Sequence, residues 1–207
     1  FQPARSEKYL LGSIPEDSFK IMFAGNIGEA QDFSSIIEVA KLLKYDKSIQ
    51  WIILGGGRRE DWVRSKVKEN KLEECFHLLG SYPLEKMPAF YANADVMLFS
   101  LKNEHIFSIT IPAKVQSYLA CGKPILAMIN GEGGKVIEDA NAGLVCPAES
   151  PKDLAKNILK MKKMEVKEIS KMGLNARKYY DDNFERLYLF EKAEYMLEDL
   201  CLSLKNP

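Results

Sequence analysis

Short, continuously apolar runs that alternate with stretches of helical period constrain this chain more than any other feature. The runs fall at 19–25 (FKIMFAG), 51–55, 75–80, 95–100, 124–129 and, more weakly, 143–147. They are too short for buried helices and apolar at odd and even positions alike, as strands covered on both faces are. Between them helical spacing predicts helices over 30–44, 59–70, 84–92, 112–121, 134–140 and 151–163. In the first of these, Phe33, Ile36, Ile37, Ala40 and Leu43 share one face. Strand and helix in strict alternation build a parallel sheet whose crossovers put helices on both sides. The expected fold class is therefore α/β, a doubly wound, Rossmann-like, parallel six-stranded sheet with helices on both faces. Residues 1–18 mix Pro3, Gly12 and Pro15 without a period and read as a leading segment, 19–164 as the sheet-bearing body, and 165–207 as closing helices of the same domain.

Charge and cysteine usage narrow the function classes. Lys plus Arg number 29 and Asp plus Glu 29, so the net charge is +0, without the basic excess that displaces counterions from nucleic acid. Any anion site must be local, and no nucleic-acid partner is expected. The 4 cysteines are far apart, with no C-x-x-C pair and only 2 histidines, which argues against a metal site or a disulfide framework and fits a reducing cytosol. No apolar run approaches the ~18 residues of a spanning helix. The chain opens on Phe1, Gln2 and Pro3 with no basic leader and no initiator Met, the expectation for a piece of a longer protein.

In an open parallel sheet, ligands bind where the carboxyl ends of strands turn into helices. Here the first strand runs into G-N-I-G (25–28), the second into G-G-G-R-R (55–59) and the fifth into N-G-E-G-G-K (130–135). Arg58, Arg59, Lys114 and Lys135 sit at helix starts, where the macrodipole disfavours a cation by ~0.3 to 1 kcal/mol unless an anion is bound between them. Pro112 suits the first helical position, which leaves Val115, Tyr118, Leu119 and Gly122 as a buried stripe and turns Lys114 and Ser117 toward the rim. Two phosphate motifs fail: Gly134-Lys135 is followed by Val136 rather than Ser or Thr, and a G-x-G-x-x-G reading would need a small residue at Glu60 or Val136. His77 lies within an apolar run and reads as a sheet histidine, whereas Glu104 and His105 stand in a polar loop at the rim.

The ordered set F-A-G-N-I-G-E-A-Q-D (23–32), I-L-G-G-G-R-R (53–59), M-P-A-F-Y-A-N-A-D-V-M-L-F-S-L (87–101), I-P-A-K-V-Q-S-Y-L-A-C-G-K-P-I-L-A (111–127) and N-A-G-L-V (141–145) closely resembles the carboxyl-terminal, donor-binding domain of GT-B glycosyltransferases of family 4. The similarity is greatest to the bacterial polysaccharide branch that adds amino-deoxy sugars, and N-A-R-K-Y-Y with N-F over 175–184 is like the closing helices. The resemblance implies a retaining transfer without metal or cofactor, from a nucleoside diphosphate sugar, UDP-linked as it often is in such relatives, to a glycan or lipid-linked acceptor in polysaccharide biosynthesis. It implies the base near Leu79, Gly80 and Ser81 with Tyr82 over it, and Gly25, Asn26, Gly28 and Gln31 near phosphates or sugar. Arg58 and Lys114 would stabilise the leaving diphosphate, Ser117 the ribose, and Glu104 stands at the donor rim. No catalytic base is assigned. Two acidic positions of many relatives are Ile109 and Ser117 here, and a less hydroxylated deoxy sugar is one reason to lose the acid.

The resemblance also implies a missing amino-terminal acceptor domain, membrane association only through that domain, and a full-length protein that is cytoplasmic, peripheral at the inner membrane face. The isolated donor half is expected to bind donor without turnover. Two other readings remain at this point: a non-catalytic α/β nucleotide-binding module, and a nucleotide-sugar epimerase of GT-B architecture. A receiver-like module would want clustered acids at the first strand end and an Asp at the third, where Leu79-Gly80-Ser81 offers none.

Overall fold

The computed structural model of the chain describes residues 1–7, 11, 12 and 14–205; residues 8–10 and 13 of the leading segment, and 206–207, lie outside the described residues. Six parallel strands, β1 (Phe19–Ala24), β2 (Ile49–Leu54), β3 (Phe76–Gly80), β4 (Val96–Ser100), β5 (Ile125–Met128) and β6 (Gly143–Cys146), form one sheet in the order β3-β2-β1-β4-β5-β6. The helices are α1 (Phe33–Leu43), α2 (Glu60–Glu69), α3 (Met87–Ala92), α4 (His105–Ser108), α5 (Ala113–Ala120), α6 (Glu132–Asp139), α7 (Pro151–Lys162), α8 (Val166–Asn183) and α9 (Arg186–Lys205). Every expected strand forms, each within two residues of its sequence-based bounds at either end.

The reason is the period-2 geometry of a strand acting on continuously apolar runs. In β1, Ile21 and Phe23 enter the layer shared with α1, α2 and α7, while Met22 and Ala24 enter the layer shared with α3, α5, α6 and α8. Trp51, Phe23, Phe33, Phe90, Phe99 and Tyr118 are fully buried, and each such side chain contributes about 1.5–3 kcal/mol. Exposed i,i+3 and i,i+4 ion pairs such as Lys41–Glu38 and Lys178–Asp182 are screened by solvent and contribute little, so apolar burial decides the fold. Leu11 and Ile14 of the leading segment also sink into the second layer.

Four local readings are corrected. Pro112 is the residue that caps α5 rather than its first helical residue: its ψ of 137 is extended, and its fixed φ of −68 is compatible with either role. α6 starts two residues earlier than its period suggests, because Gly133 and Gly134 pack inside its first turn against Pro112, Ile129 and Val145. Lys135 is consequently within that helix, exposed and paired with Glu132 at 2.6 Å. α4 is a single turn inside what reads as a polar loop, too short to show a period. His77, by contrast, is the sheet histidine expected: it is half-buried, its Nε2 lies 2.6 Å from Gln50 Oε1, and burial lowers its pKa.

α8 starts with a reciprocal capping box between Glu165 and Glu168 and packs across the end of α5. The two meet at glycines, since a Cβ on Gly173 would lie 2.5 Å from Gly122 O. Alanine in a helix interior normally stabilises by up to about 1 kcal/mol over glycine. Overpacking costs about 1–3 kcal/mol, so Gly173→Ala is expected to lower the melting temperature despite its helix propensity. An unchanged or raised melting temperature would show that the two helices are free to separate.

Candidate functional site

β1 pairs with β2 along its whole length but with β4 only at Ile21↔Val96 and Met22↔Met97. The chain order reverses between these two neighbours, so the carboxyl ends of β1 and β4 border a crevice at the topological switch point. A cavity of about 460 Å³ opens on the β2 side of this point, lined by the turn after β1 (Gly25, Asn26), the turn after β2 (Gly55, Gly56), the segment after β3 (Ser81, Tyr82, Leu84), α3 (Met87, Tyr91), α5 (Ala113, Lys114, Ser117) and Phe1.

The two glycine turns are bonded side by side: Gly25 N–H donates to Leu54 O at 2.8 Å and Ile27 N–H to Gly56 O at 2.8 Å. Gly25 and Gly55 have φ of 134 and 119, and a Cβ on Gly55 would overlap Gly25 O, so the close approach of the turns requires glycine. Gly80 O accepts from Gly55 N–H at 2.7 Å, which brings the end of β3 into the same row.

Among the described residues, Lys114 is the only charged side chain that lines the cavity. It occupies the second position of α5, a helix whose cap, Pro112, has no side-chain group to take the first-turn N–H donors. Its Nζ is buried without a hydrogen-bond partner and sits 4.3 Å from the centroid of the Phe23 ring. Its stem lies over Gly25, where any Cβ would overlap it. Burial lowers its pKa to about 8. A buried, unpaired ammonium costs several kcal/mol of desolvation. An uncapped helix start, a buried unpaired cation and a concave rim together form a seat for an anion.

The other sequence-predicted residues divide into lining, framework and periphery. Gly25, Asn26, Tyr82, Lys114 and Ser117 line the cavity. Ser117 Oγ donates to Ala113 O at 3.1 Å, and the Tyr82 ring rests 4.4 Å from that of Phe90. Gly28 and Gln31 stand behind the turn, Gln31 Oε1 accepting from Gly28 N–H at 3.0 Å. Leu79 and Gly80 end β3 beside the cavity without lining it. Arg58 and Glu104 are exposed and outside the lining, and His105 is likewise exposed. Arg59 is engaged elsewhere: its Nη1 lies 3.3 Å from Glu29, its guanidinium 4.0 Å from the Trp62 ring centroid, and Lys102 completes the cluster on Glu29. Ser81, expected near the base, does line the cavity, whereas sequence reasoning missed Met87, Tyr91 and Phe1 as cavity walls; the first two carried only a helical apolar stripe, which marks burial and not which side faces a ligand. Among the described residues, no group of three or more His, Cys, Asp or Glu side chains is placed to hold a metal ion.

A larger groove of about 700 Å³ lies at the opposite, amino end of the strands, lined by Phe19, Pro124, Met161, Ile169 and others. Its one glycine turn, at Gly122, leads from a helix into a strand and not from a strand end into a helix start, and the start of α8 beside it is closed by its own capping box. The smaller cavity is the candidate site.

The sequence profile of the family Glycosyl transferases group 1 matches residues 12–179. The chain belongs to this family. Among relatives, the probable glycosyltransferase WbjE of Pseudomonas aeruginosa is 28% identical over 186 residues, covering 87% of this chain and 44% of the relative. The amylovoran biosynthesis glycosyltransferase AmsK of Erwinia amylovora is 23% identical over 184 residues, covering 88% and 45%. The chain thus spans less than half the length of these curated relatives. Among solved structures, TarM of S. aureus, in a complex with UDP, alpha-GlcNAc-glycerol and fondaparinux, superposes with a TM-score of 0.76 at 17% identity, over 94% of this chain and 37% of that one. The group 1 glycosyltransferase fold is thereby that of the doubly wound sheet described above.

The environment of Lys114 yields a direct expectation. With lysines reductively methylated by a ¹³C label, the Lys114 resonance should titrate near pH 8, well below the other lysines. A midpoint at the ordinary value near 10.4 would show the amine to be hydrated.

Proposed function

We propose that this chain is the donor-binding half of a retaining GT-B glycosyltransferase of family 4, in the polysaccharide branch that transfers amino-deoxy sugars. It takes its sugar from a UDP-linked donor and delivers it to a glycan or lipid-linked acceptor. The observation that carries this reading is the unpartnered Lys114 amine at the uncapped start of α5, inside a cavity walled by two glycine turns. A diphosphate supplies what that amine and those N–H groups lack. As the sugar–phosphate bond breaks, negative charge gathers on the leaving diphosphate, and a cation with fixed N–H dipoles in a water-poor site stabilises it more than the ground state.

The rest of the assignment follows the cavity walls. The base lies against Tyr82, beside the end of β3; the ribose is within reach of Ser117; the phosphates lie over Gly25 and Asn26. Arg58, exposed on the turn after β2, is the second cation we assign to the phosphates, and Glu104 stands toward the sugar. Gly28 and Gln31 act by shaping the turn. A name such as amylovoran biosynthesis glycosyltransferase in a relative supports the polysaccharide context, and UDP in the TarM complex supports the nucleotide.

We assign the acceptor wall to a domain outside this sequence. Two features support it: the chain spans under half of its relatives, and α9 exposes Leu187, Phe190, Met196 and Leu197, an apolar surface suited to cover the junction between two halves. Among the described residues no helix is long and apolar enough to cross a membrane, and membrane contact is assigned to that other domain, on the cytoplasmic side. We take 19–164 as the nucleotide-sugar-binding body and 165–207 as its closing helices. This chain alone binds donor without turnover, because transfer requires the acceptor hydroxyl held within about 3–3.5 Å of the reacting carbon.

Calorimetry with UDP tests the reading. Saturable binding in the millimolar range or tighter is expected, and Lys114→Ala should weaken it by ~1–3 kcal/mol, the range for a charge-assisted hydrogen bond, with uridine little affected. Failure of uridine, guanosine and thymidine diphosphates alike to bind would reject the donor site. The pH dependence has a definite sign. Bound diphosphate favours the charged amine and raises the Lys114 pKa above its ligand-free value of about 8. Affinity should then be level at pH values at which the free amine is already charged, apart from the phosphate's own titration, and fall as pH rises through about 8. An affinity level from pH 7 to 9.5 would remove Lys114 from the phosphates.

A further inference from the structure

Tyr118 is a fully buried side chain that the donor chemistry above does not use. Its hydroxyl both accepts from Ala24 N–H and donates to Ala24 O, each at 3.2 Å. Ala24 is the last residue of β1, and the direction of its backbone groups can be read from its neighbours. Phe19 and Gly25 send their N–H groups to the β2 edge, at Ser48 O and Leu54 O, whereas Lys20 O accepts from Asp95 N–H on the β4 edge. Alternation along the strand turns Ala24 to the β4 edge too. There the pairing has already ended at Met22↔Met97, so no strand meets Ala24. The phenol fills the place of that strand.

Tyr118 lies one helical turn after Lys114 on α5, and the two side chains grip adjacent residues of β1: the Lys114 amine sits over Phe23 and its stem over Gly25, with the Tyr118 hydroxyl on Ala24 between them. The Tyr118 ring also meets Tyr91 edge-on at 5.4 Å, and Tyr91 stacks on Phe1 at 5.8 Å, both of them walls of the cavity. Burial raises the phenol pKa well above 10, so the hydroxyl stays protonated and able to donate and accept at once.

We propose that Tyr118 is a positioning residue of the donor site, holding open the crevice between β1 and β4 and fixing the Gly25 turn against Lys114 as a preformed seat for a diphosphate. The proposal rests on the donor-site reading. It goes beyond it in assigning the seat's geometry to a side chain that contacts no ligand. Without the hydroxyl, two buried backbone groups of Ala24 lose their partner, and the end of β1 must shift or admit water to satisfy them. Such a shift moves the Gly25 turn relative to α5, and with it the distance between the turn and the ammonium.

The test uses Tyr118→Phe in the full 207-residue chain, which keeps the ring and its packing. UDP and uridine binding are measured side by side, at a temperature well below the melting transition of either protein. The expected result is a loss of roughly tenfold in UDP affinity, about the size of one net hydrogen bond, with uridine affinity unchanged. A merely structural role would move both ligands together or neither. If the unsubstituted chain binds UDP and the variant binds it equally well, or loses UDP and uridine in parallel, the positioning role is overturned while the donor site stands. If the unsubstituted chain binds no nucleoside diphosphate, the donor site itself fails and the proposal with it. Should the variant not fold, amide hydrogen exchange on the unsubstituted chain decides the matter. Ala24 N–H is expected to be as protected as the Met22 N–H inside the sheet, and exchange at the rate of a surface turn would overturn the proposal.

Discussion

β1 runs out of partner on one edge before it runs out of residues. Its last backbone groups on the β4 side are met by a helix side chain and not by a strand, and the site grows from that single break in the ladder. Because β1 and β4 part there, a crevice opens at the carboxyl ends; because α5 reaches into the gap with Tyr118, its uncapped start is brought over the Gly25 turn. Lys114 then lies on Phe23 with no counter-charge. A sheet paired along the whole of β1 and β4 would leave no backbone group at Ala24 for Tyr118 to meet. The cost of an interrupted ladder is offset locally by one phenol, and the apolar layers on either side hold the arrangement in place.

Charge is used sparingly. The chain is neutral overall, and several cations near the ends of the strands and on the helices are committed to ion pairs at the surface: Arg59 and Lys102 to Glu29, Lys135 to Glu132, Arg177 to Asp181. Such pairs contribute little to stability, but they leave the charged lining of the cavity to one buried amine. In water an ammonium gains little from a phosphate that it did not already have from solvent. With its hydration removed and its neighbours fixed, the same group discriminates strongly between an anion and none. The depressed pKa of Lys114 and its proposed affinity for diphosphate thus have one cause.

The exposed apolar residues of α9 contrast with the packed face of α8. α8 crosses α5 at two glycines and buries Ala176, whereas α9 leaves Leu187, Phe190, Met196 and Leu197 exposed. The helices follow one another with only a short break at Phe184 and Glu185, so the difference is one of available partners rather than of helix propensity.

Strand and helix placement was legible in the sequence because period and burial are local consequences of composition: doubly covered strands must be apolar at every position, and amphipathic helices must repeat near 3.6. The glycine turns and Lys114 were legible too, since a glycine pair and a cation at a helix start are unusual chemistry in any context. Arg58 carried the same local signal as Lys114, yet its side chain is exposed while that of Lys114 is buried. No one-dimensional pattern distinguishes them, because burial depends on how α5 and α2 sit against the sheet. Tyr118 read as one more residue of a buried stripe, which it is. That its hydroxyl replaces a missing strand at Ala24 depends on where β1 and β4 part, a relation between segments almost a hundred residues apart that only the folded chain brings together. The sequence by itself determined which segments fold, which faces they bury and which turns are glycine-bound. Tertiary structure alone decided which cation loses its water and which tyrosine meets an orphaned backbone, since both follow from the packing of distant elements and not from the order of residues along any one of them.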